Sequence, residues 1–266
     1  MHTNLETLFN NLWNNYLQVT PSANKVHALL GEGNVLINDH VAFRTFNIEK
    51  VNLDKLAAHF LALGYEEKGQ YNFEQKKLQA KHFEHPDSTK PKVFISELLV
   101  EAFSEQVQAI IHNMVEQVSA DATEQDNFLY SGAPWSVTSA EYETLLAESE
   151  YAAWMSAWGY RANHFTVSVN HLNNYAELSQ VNAALKIAGF ELNTSGGEIK
   201  GGADVFLAQS STMADKVEVQ FKDTVKTIPS CFYEFAQRYP LPSGELYSGF
   251  VAASADKIFE STNVAA

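Results

Sequence analysis

The pattern strand, helix, three strands is written twice in this chain, and no other feature restricts its fold as strongly. In the first copy His40-Val41-Ala42-Phe43-Arg44-Thr45-Phe46 alternates as a strand does, a helix starts near Leu53 behind Asn52 and ends at Gly64, and strand-like runs follow at 69–75, 78–85 and 92–99. In the second, His164-Phe165-Thr166-Val167-Ser168-Val169 alternates in the same way, Tyr175 to Gly189 is helical in pattern, and strand-like runs follow at 204–210, 215–222 and 231–238. Two βαβββ units must pair to bury their sheets. The expected fold is α+β: paired βαβββ repeats forming a cup-shaped, partly closed sheet with added helices. One alternation of each strand lines the cup and the other packs beneath helices.

The expected organisation is a single domain, 1–266, with repeats at about 36–100 and 160–240, a helical insertion at about 102–158 and a C-terminal element at 245–266. An amphipathic helix carrying Leu5, Leu8, Phe9, Leu12, Trp13 and Tyr16 precedes them and is stopped by Pro21. Within the insertion, Phe103 to Val118 reads as a helix, Asp121 to Pro134 as a polar loop, and Thr138 to Glu141 as a capping box.

Composition narrows the function classes. Lys+Arg 18 against Asp+Glu 32 gives 18 − 32 = −14, without the cationic footprint that phosphate backbones require, so neither nucleic acid nor an anionic membrane is an expected partner. With 45% hydrophobic residues the chain can fill a sizeable core. Cys231 has no second cysteine to pair with, no apolar run reaches membrane-spanning length, and the first residues lack a secretory pattern; a cytoplasmic setting is the expectation.

Nine histidines are present, and most have bland readings. His2 is terminal, His27, His59 and His112 fall in helical stretches, and His171 lies just past a strand. His82 and His85, three apart on a strand, point to opposite faces. His40 and His164 differ, because each opens the first strand of its repeat on the polar alternation. They are followed there by Ala42 and Arg44 in one copy and Thr166 and Ser168 in the other. Two neutral imidazoles converging in a cup suit a divalent metal, and a carboxylate must complete the set. Glu218 follows His164 at about the distance Glu97 follows His40, which repeat symmetry favours. Glu234 is the stronger candidate, because Glu234-x-Ala-x-Arg238 copies His40-x-Ala-x-Arg44.

Only three basic residues are arginine, and all lie near these positions: Arg44, Arg161 and Arg238. The guanidinium fork binds carboxylates bidentately, which points to a carboxylate substrate held by Arg44. Arg161, at an odd offset from His164, reads as a structural ion pair on the other face. Arg238, Ser168 and His82 are expected to flank the site without ligating.

The same residues carry a resemblance. Asn38 to Phe46, Lys81 to Pro86, Lys92 to Leu98, Arg161 to Val167, Ile228 to Arg238 and Gly249 to Ser261 resemble, in order, the 2-oxoadipate dioxygenase/decarboxylase (hydroxyglutarate synthase) family. That resemblance implies a relative of the vicinal-oxygen-chelate fold, iron(II) held by His40, His164 and Glu234, and Arg44 as the substrate-carboxylate clamp. It implies conversion of 2-oxoadipate, or a similar 2-oxo dicarboxylate, and O2 to 2-hydroxyglutarate and CO2, a step in lysine breakdown. Gly249 to Ser261 would lie near the mouth of the site. The chain is shorter than many members, so the metal chemistry is expected to carry over better than substrate identity. Three readings compete: a glyoxalase-type isomerase in which Glu97 and Glu218 join the histidines, a non-catalytic binder of small anions, and a hydrogen-bonded core plugged by the two histidines.

Overall fold

The computed structural model describes residues 1–263. Two helices come first, α1 (Leu5–Val19) and α2 (Ser22–Gly31). The sequence reading missed α2, because Pro21 both stops α1 and opens the next helix, where its missing N–H costs nothing. The first repeat follows as β1 (Asn38–Phe46), α3 (Leu53–Leu61), β2 (Glu66–Phe73), β3 (Leu78–Glu84) and β4 (Lys92–Leu98). Asn52 caps α3 by accepting from the Lys55 amide, as expected. The insertion holds α4 (Glu105–Glu116), α5 (Ser139–Glu148) and α6 (Glu150–Trp158). Thr138 and Glu141 form the expected capping box, while α6 was not foreseen, since its nearly all-apolar face pattern gives no amphipathic signal. The expected loop at 121–134 contains two short 3₁₀ turns, the second of which buries Phe128 and Leu129.

The second repeat comprises β5 (Ala162–Ser168), α7 (Leu178–Ile187), β6 (Lys200–Gly202), β7 (Leu207–Ser211), β8 (Lys216–Gln220), β9 (Val225–Pro229) and β10 (Phe232–Arg238). Eight strands form one curled half-barrel in the order β2-β3-β4-β1-β5-β10-β7-β6. The order mirrors itself about the antiparallel β1–β5 contact, since β1 pairs in parallel with β4 and β5 with β10. β10, not β8, is therefore the counterpart of β4. β8 and β9 form a separate two-stranded hairpin, an excursion inside the second repeat. Counting residues from His164 to Glu218 followed the wrong strand.

β1 is buried on both faces, which explains its mixed composition. Val41, Phe43 and Thr45 face the helical layer, where Phe43 packs on Phe60 of α3 with ring centroids 5.5 Å apart. His40, Ala42 and Arg44 face the cup. Entry into β5 is fixed by Gly159, at φ +61°, where an added Cβ would lie 2.2 Å from the Gly132 carbonyl oxygen; only glycine permits that approach. The C-terminal element is α8 (Ala252–Ile258) and a 3₁₀ turn at Phe259–Thr262, which close the mouth of the cup; positions 264–266 lie outside the described residues. Among the described residues no helix is long and apolar enough to cross a membrane.

Candidate metal centre

His40, His164 and Glu234 meet at the floor of the cup, fully buried, with one ligand-type atom from each lying within 4.8 Å of the others. Nε2 of His164 is 3.0 Å from Glu234 Oε2, and Nε2 of His40 is 3.6 Å from Glu234 Oε1. Two ligands each ~2.1 Å from one ion and at right angles stand ~3 Å apart, so these separations suit a shared ion.

The strand irregularities build this arrangement. Asp39 and Asn163 are the extra residues at two bulges where β1 meets β5, one preceding each histidine. Bulging lets each reach back to its neighbour: His40 Nδ1 lies 2.8 Å from Asp39 Oδ2, and His164 Nδ1 lies 3.0 Å from Asn163 Oδ1. A carboxylate oxygen can only accept, so His40 Nδ1 carries the proton and Nε2 presents a lone pair toward the cup. The Asn163 oxygen sets the same tautomer on His164. With that tautomer, the His164 lone pair and the Glu234 carboxylate face each other as two acceptors. A cation must lie between them, a proton or a metal ion, so the donor set fits a bound divalent metal on the structure's own terms.

The electrostatics agree. Burial raises the carboxyl pKa of Glu234, but His40 and His164 outweigh it and bring it down to about 2. For His40, burial is outweighed by Glu234 and Asp39, so its pKa rises; for His164, burial wins and its pKa falls. His40 therefore takes up a proton more readily than His164, as befits a pair sharing one carboxylate.

Behind His40 stands Arg238, which grips Asp39 bidentately, Nε to Oδ1 at 2.6 Å and Nη2 to Oδ2 at 2.9 Å. Its third nitrogen donates to the Tyr247 and Gly249 carbonyls, so one guanidinium ties the histidine's support to the C-terminal segment. Arg238→Met is expected to cost about 3–5 kcal/mol, because it strands Asp39 as a buried charge. A urea titration checks this; a loss below about 1 kcal/mol would contradict it.

Arg44 also faces the cup. It is 3% exposed, its guanidinium lies between the rings of Tyr151 and Trp154, each 4.9 Å from Cζ, and it makes one long bond, Nη2 to Thr262 Oγ1 at 3.4 Å. Among the described residues Nε and Nη1 are buried without a partner. A buried cation with two idle donors in a cavity wall is a ready anion anchor.

Other expected residues fall elsewhere. Glu218 is exposed on the β8–β9 hairpin, far from the cup, and is not part of the group. Glu97 caps α3 by accepting from the Leu53 amide. Ser168 is buried but bonds His171 Nδ1 at 2.8 Å and does not line the cavity. His82 is held between Tyr71 and Glu84 and does not line the cavity; it stands behind Phe250, whose ring is 5.2 Å from its own, and opposite Phe94 on β4. His85, as expected, lies on the other side, against Tyr65. Arg161 forms no ion pair among the described residues; it donates to the Trp158 carbonyl and closes the end of α6. Sequence reasoning missed Asp39, Asn163, Phe94, Phe250 and Gln209. Asp39 and Asn163 precede the two histidines at equivalent positions, a signal that strict strand alternation conceals.

The strand register explains why the group has three members. Thr166 sits opposite Glu234 in the second repeat, and its counterpart Ala42 sits opposite Phe94 in the first. Phe94 thus occupies the place a fourth, symmetric ligand would take, and it lines the cavity together with Phe250.

A buried two-histidine, one-carboxylate group at the floor of a cup made from two mirrored βαβββ units defines a class, that of vicinal-oxygen-chelate-type scaffolds with a metal-type centre. The fold is shared with a protein from Ralstonia eutropha JMP134 provisionally assigned to the glyoxalase superfamily, 21% identical with TM-score 0.75 over 92% of this chain and 85% of that one. Within this class, the chain belongs to the 2-oxoadipate dioxygenase/decarboxylase family, whose model matches residues 4–247. It is 37% identical over 278 residues to the chloroplastic 2-oxoadipate dioxygenase/decarboxylase of Arabidopsis thaliana, covering 93% of this chain and 74% of that protein. The structure of rice (Oryza sativa) hydroxyglutarate synthase in complex with 2-oxoadipate superposes with TM-score 0.89 at 33% identity, over 96% of this chain and 91% of that one. A Shewanella frigidimarina NCIMB 400 protein, provisionally called a hydrolase, is 62% identical with TM-score 0.93, covering 95% of this chain and all (100%) of that one.

Proposed function

We propose that the chain is a non-haem iron(II) dioxygenase/decarboxylase that converts 2-oxoadipate, or a close 2-oxo dicarboxylate, and O2 to 2-hydroxyglutarate and CO2. The observation that carries this reading is the pairing, in one buried cavity, of a three-member donor set with an unpartnered guanidinium. It is supported by family membership and by the relative that binds 2-oxoadipate.

In this reading His40, His164 and Glu234 hold the metal on one side and leave the side facing Phe94 and Phe250 open. Iron(II) bound there would supply what no side chain can, redox activation of O2 beside a 2-oxo acid. The remaining work belongs to the protein. Arg44 turns Nε and Nη1 to a substrate carboxylate, and its stacking between Tyr151 and Trp154 fixes the plane of the fork. Phe94, Phe250, Ile258 and Phe259 wall the cavity and exclude water, which strengthens that ion pair. Asp39 and Asn163 keep each histidine proton on Nδ1, away from the metal side.

A glyoxalase-type isomerase is disfavoured by a specific observation: its fourth ligand would have to come from the position that Phe94 fills, and neither Glu97 nor Glu218 approaches the group. The test is to load the protein anaerobically with iron(II) and offer 2-oxo acids of increasing chain length, measuring O2 uptake and CO2 release. Turnover is expected to peak at the dicarboxylate 2-oxoadipate. Tight binding of the acids without any O2 uptake would instead establish a non-catalytic anion binder.

A further inference from the structure

Glu234 has a third neighbour besides the histidines. Gln209 on β7 donates through Nε2 to Glu234 Oε1 at 2.7 Å, so the carboxamide fixes the carboxylate plane and leaves Oε2 toward His164. Among the described residues nothing holds the carboxamide oxygen, for Gln209 Oε1 is buried without a hydrogen-bond partner. Directly opposite Gln209, on the edge strand β6, is Lys200. Paired residues on adjacent strands share a face, with Cβ atoms ~5 Å apart.

Lys200 is an unusual lysine. It is 3% exposed, makes no ion pair among the described residues, and spends one donor on the Asn193 carbonyl. Burial pushes its pKa down to about 8, with Glu234 and Glu198 acting in the opposite direction, so at neutral pH it is mostly charged. An ammonium has three donors. An acceptor without a partner and a cation with donors to spare thus stand at paired positions on one face of β6 and β7, with no direct hydrogen bond between them, beside the Gln209 to Glu234 bond.

We infer that Lys200 is a positioning residue for the metal centre: it orients the Gln209 carboxamide, and through it the Glu234 carboxylate. The inference rests on the reading of His40, His164 and Glu234 as metal ligands. The competing role is purely structural. Asn193, which Lys200 bonds, also holds Lys257 O and Ser261 Oγ of the C-terminal segment, so Lys200 could serve only to fasten that segment.

The two roles separate on metal affinity, measured for anaerobic iron(II) by chelator competition at a temperature where every variant is folded. Lys200→Met and Gln209→Leu are each expected to weaken binding about ten- to a hundredfold, the usual range for groups that orient a ligand. The double variant should be hardly weaker than Gln209→Leu alone, because the two act in series. If Lys200→Met does not fold, Lys200→Gln carries the same expectation. A lysine variant with a lowered melting temperature but affinity within about twofold of the parent overturns the inference, as do two losses that multiply in the double variant. His40→Ala serves as the control: if it too leaves affinity unchanged, the metal-centre reading has failed, and not the Lys200 relay alone.

Discussion

Glu234→Gln is expected to eliminate both metal binding and O2 consumption while leaving the fold intact. The substitution keeps the shape of a side chain that is 1% exposed and keeps an oxygen able to accept from Gln209. It removes the charge and the second ligating oxygen. Without a metal that charge is held against burial by the two histidines in their protonated form, which bring the carboxyl pKa down to about 2, and a bound cation would take the place of their protons. A neutral amide cannot replace an anionic ligand in a set whose other two members are neutral. Groups that merely orient a ligand contribute about ten- to a hundredfold in metal affinity, so loss of the ligand itself should exceed ~100-fold. Metal content after dialysis and O2 uptake with 2-oxoadipate check this. Glu218→Gln, on the exposed hairpin, should leave both unchanged, and the contrast between the two glutamates is the sharpest mutational test of the centre.

Arg44→Met should have two effects of opposite sign. The guanidinium lies buried with no carboxylate partner among the described residues, its pKa lowered by burial and only partly supported by Tyr151 and Glu150. Taking such an ion out of water costs several kcal/mol. Its ring contacts return ~2 kcal/mol and its one long hydrogen bond ~1 kcal/mol or less. Desolvation wins, so the ligand-free methionine variant should be more stable than the parent by about 1 kcal/mol, or ~2–4 °C in Tm for a chain of this size. Turnover should move the other way. Losing a buried carboxylate anchor costs about 3 kcal/mol, on the order of a hundredfold in kcat/KM. Thermal melts and steady-state rates on the same preparation test both halves. A less stable variant with undiminished kcat/KM would show that Arg44 is a core residue and not a substrate anchor.

The site's principal side chains were legible because the fold repeats. His40 and His164 open equivalent strands on the polar alternation, and Glu234-x-Ala-x-Arg238 echoes His40-x-Ala-x-Arg44. Arg238 proved to act as a support, though through Asp39, a residue adjacent to the ligand it holds. The failures have physical causes. Glu218 attracted attention because residue counting assumes that both repeats have the same strands, and the β8–β9 hairpin breaks that assumption. Asp39 and Asn163 were hidden because a regular strand would turn them away from the histidines, and only the two bulges bring them back. Phe94, Gln209 and Lys200 depend on cross-strand register between segments far apart in the chain, which no local pattern encodes. The helices α2 and α6 escaped for local reasons, a proline with two duties and an apolar pattern with no polar face.

The central claim is that this cup uses O2 both to remove a carboxyl group and to hydroxylate the chain that remains. The direct measurement is turnover of 2-oxoadipate by iron(II)-loaded protein under isotopically labelled O2, with the organic product and the gas analysed together. Equimolar CO2 and 2-hydroxyglutarate are expected, with one labelled oxygen in the product's hydroxyl group, one in the carboxylate newly formed from the keto carbon, and none in the CO2. A hydroxyl oxygen drawn from water, or CO2 released at the same rate without O2, would contradict the account.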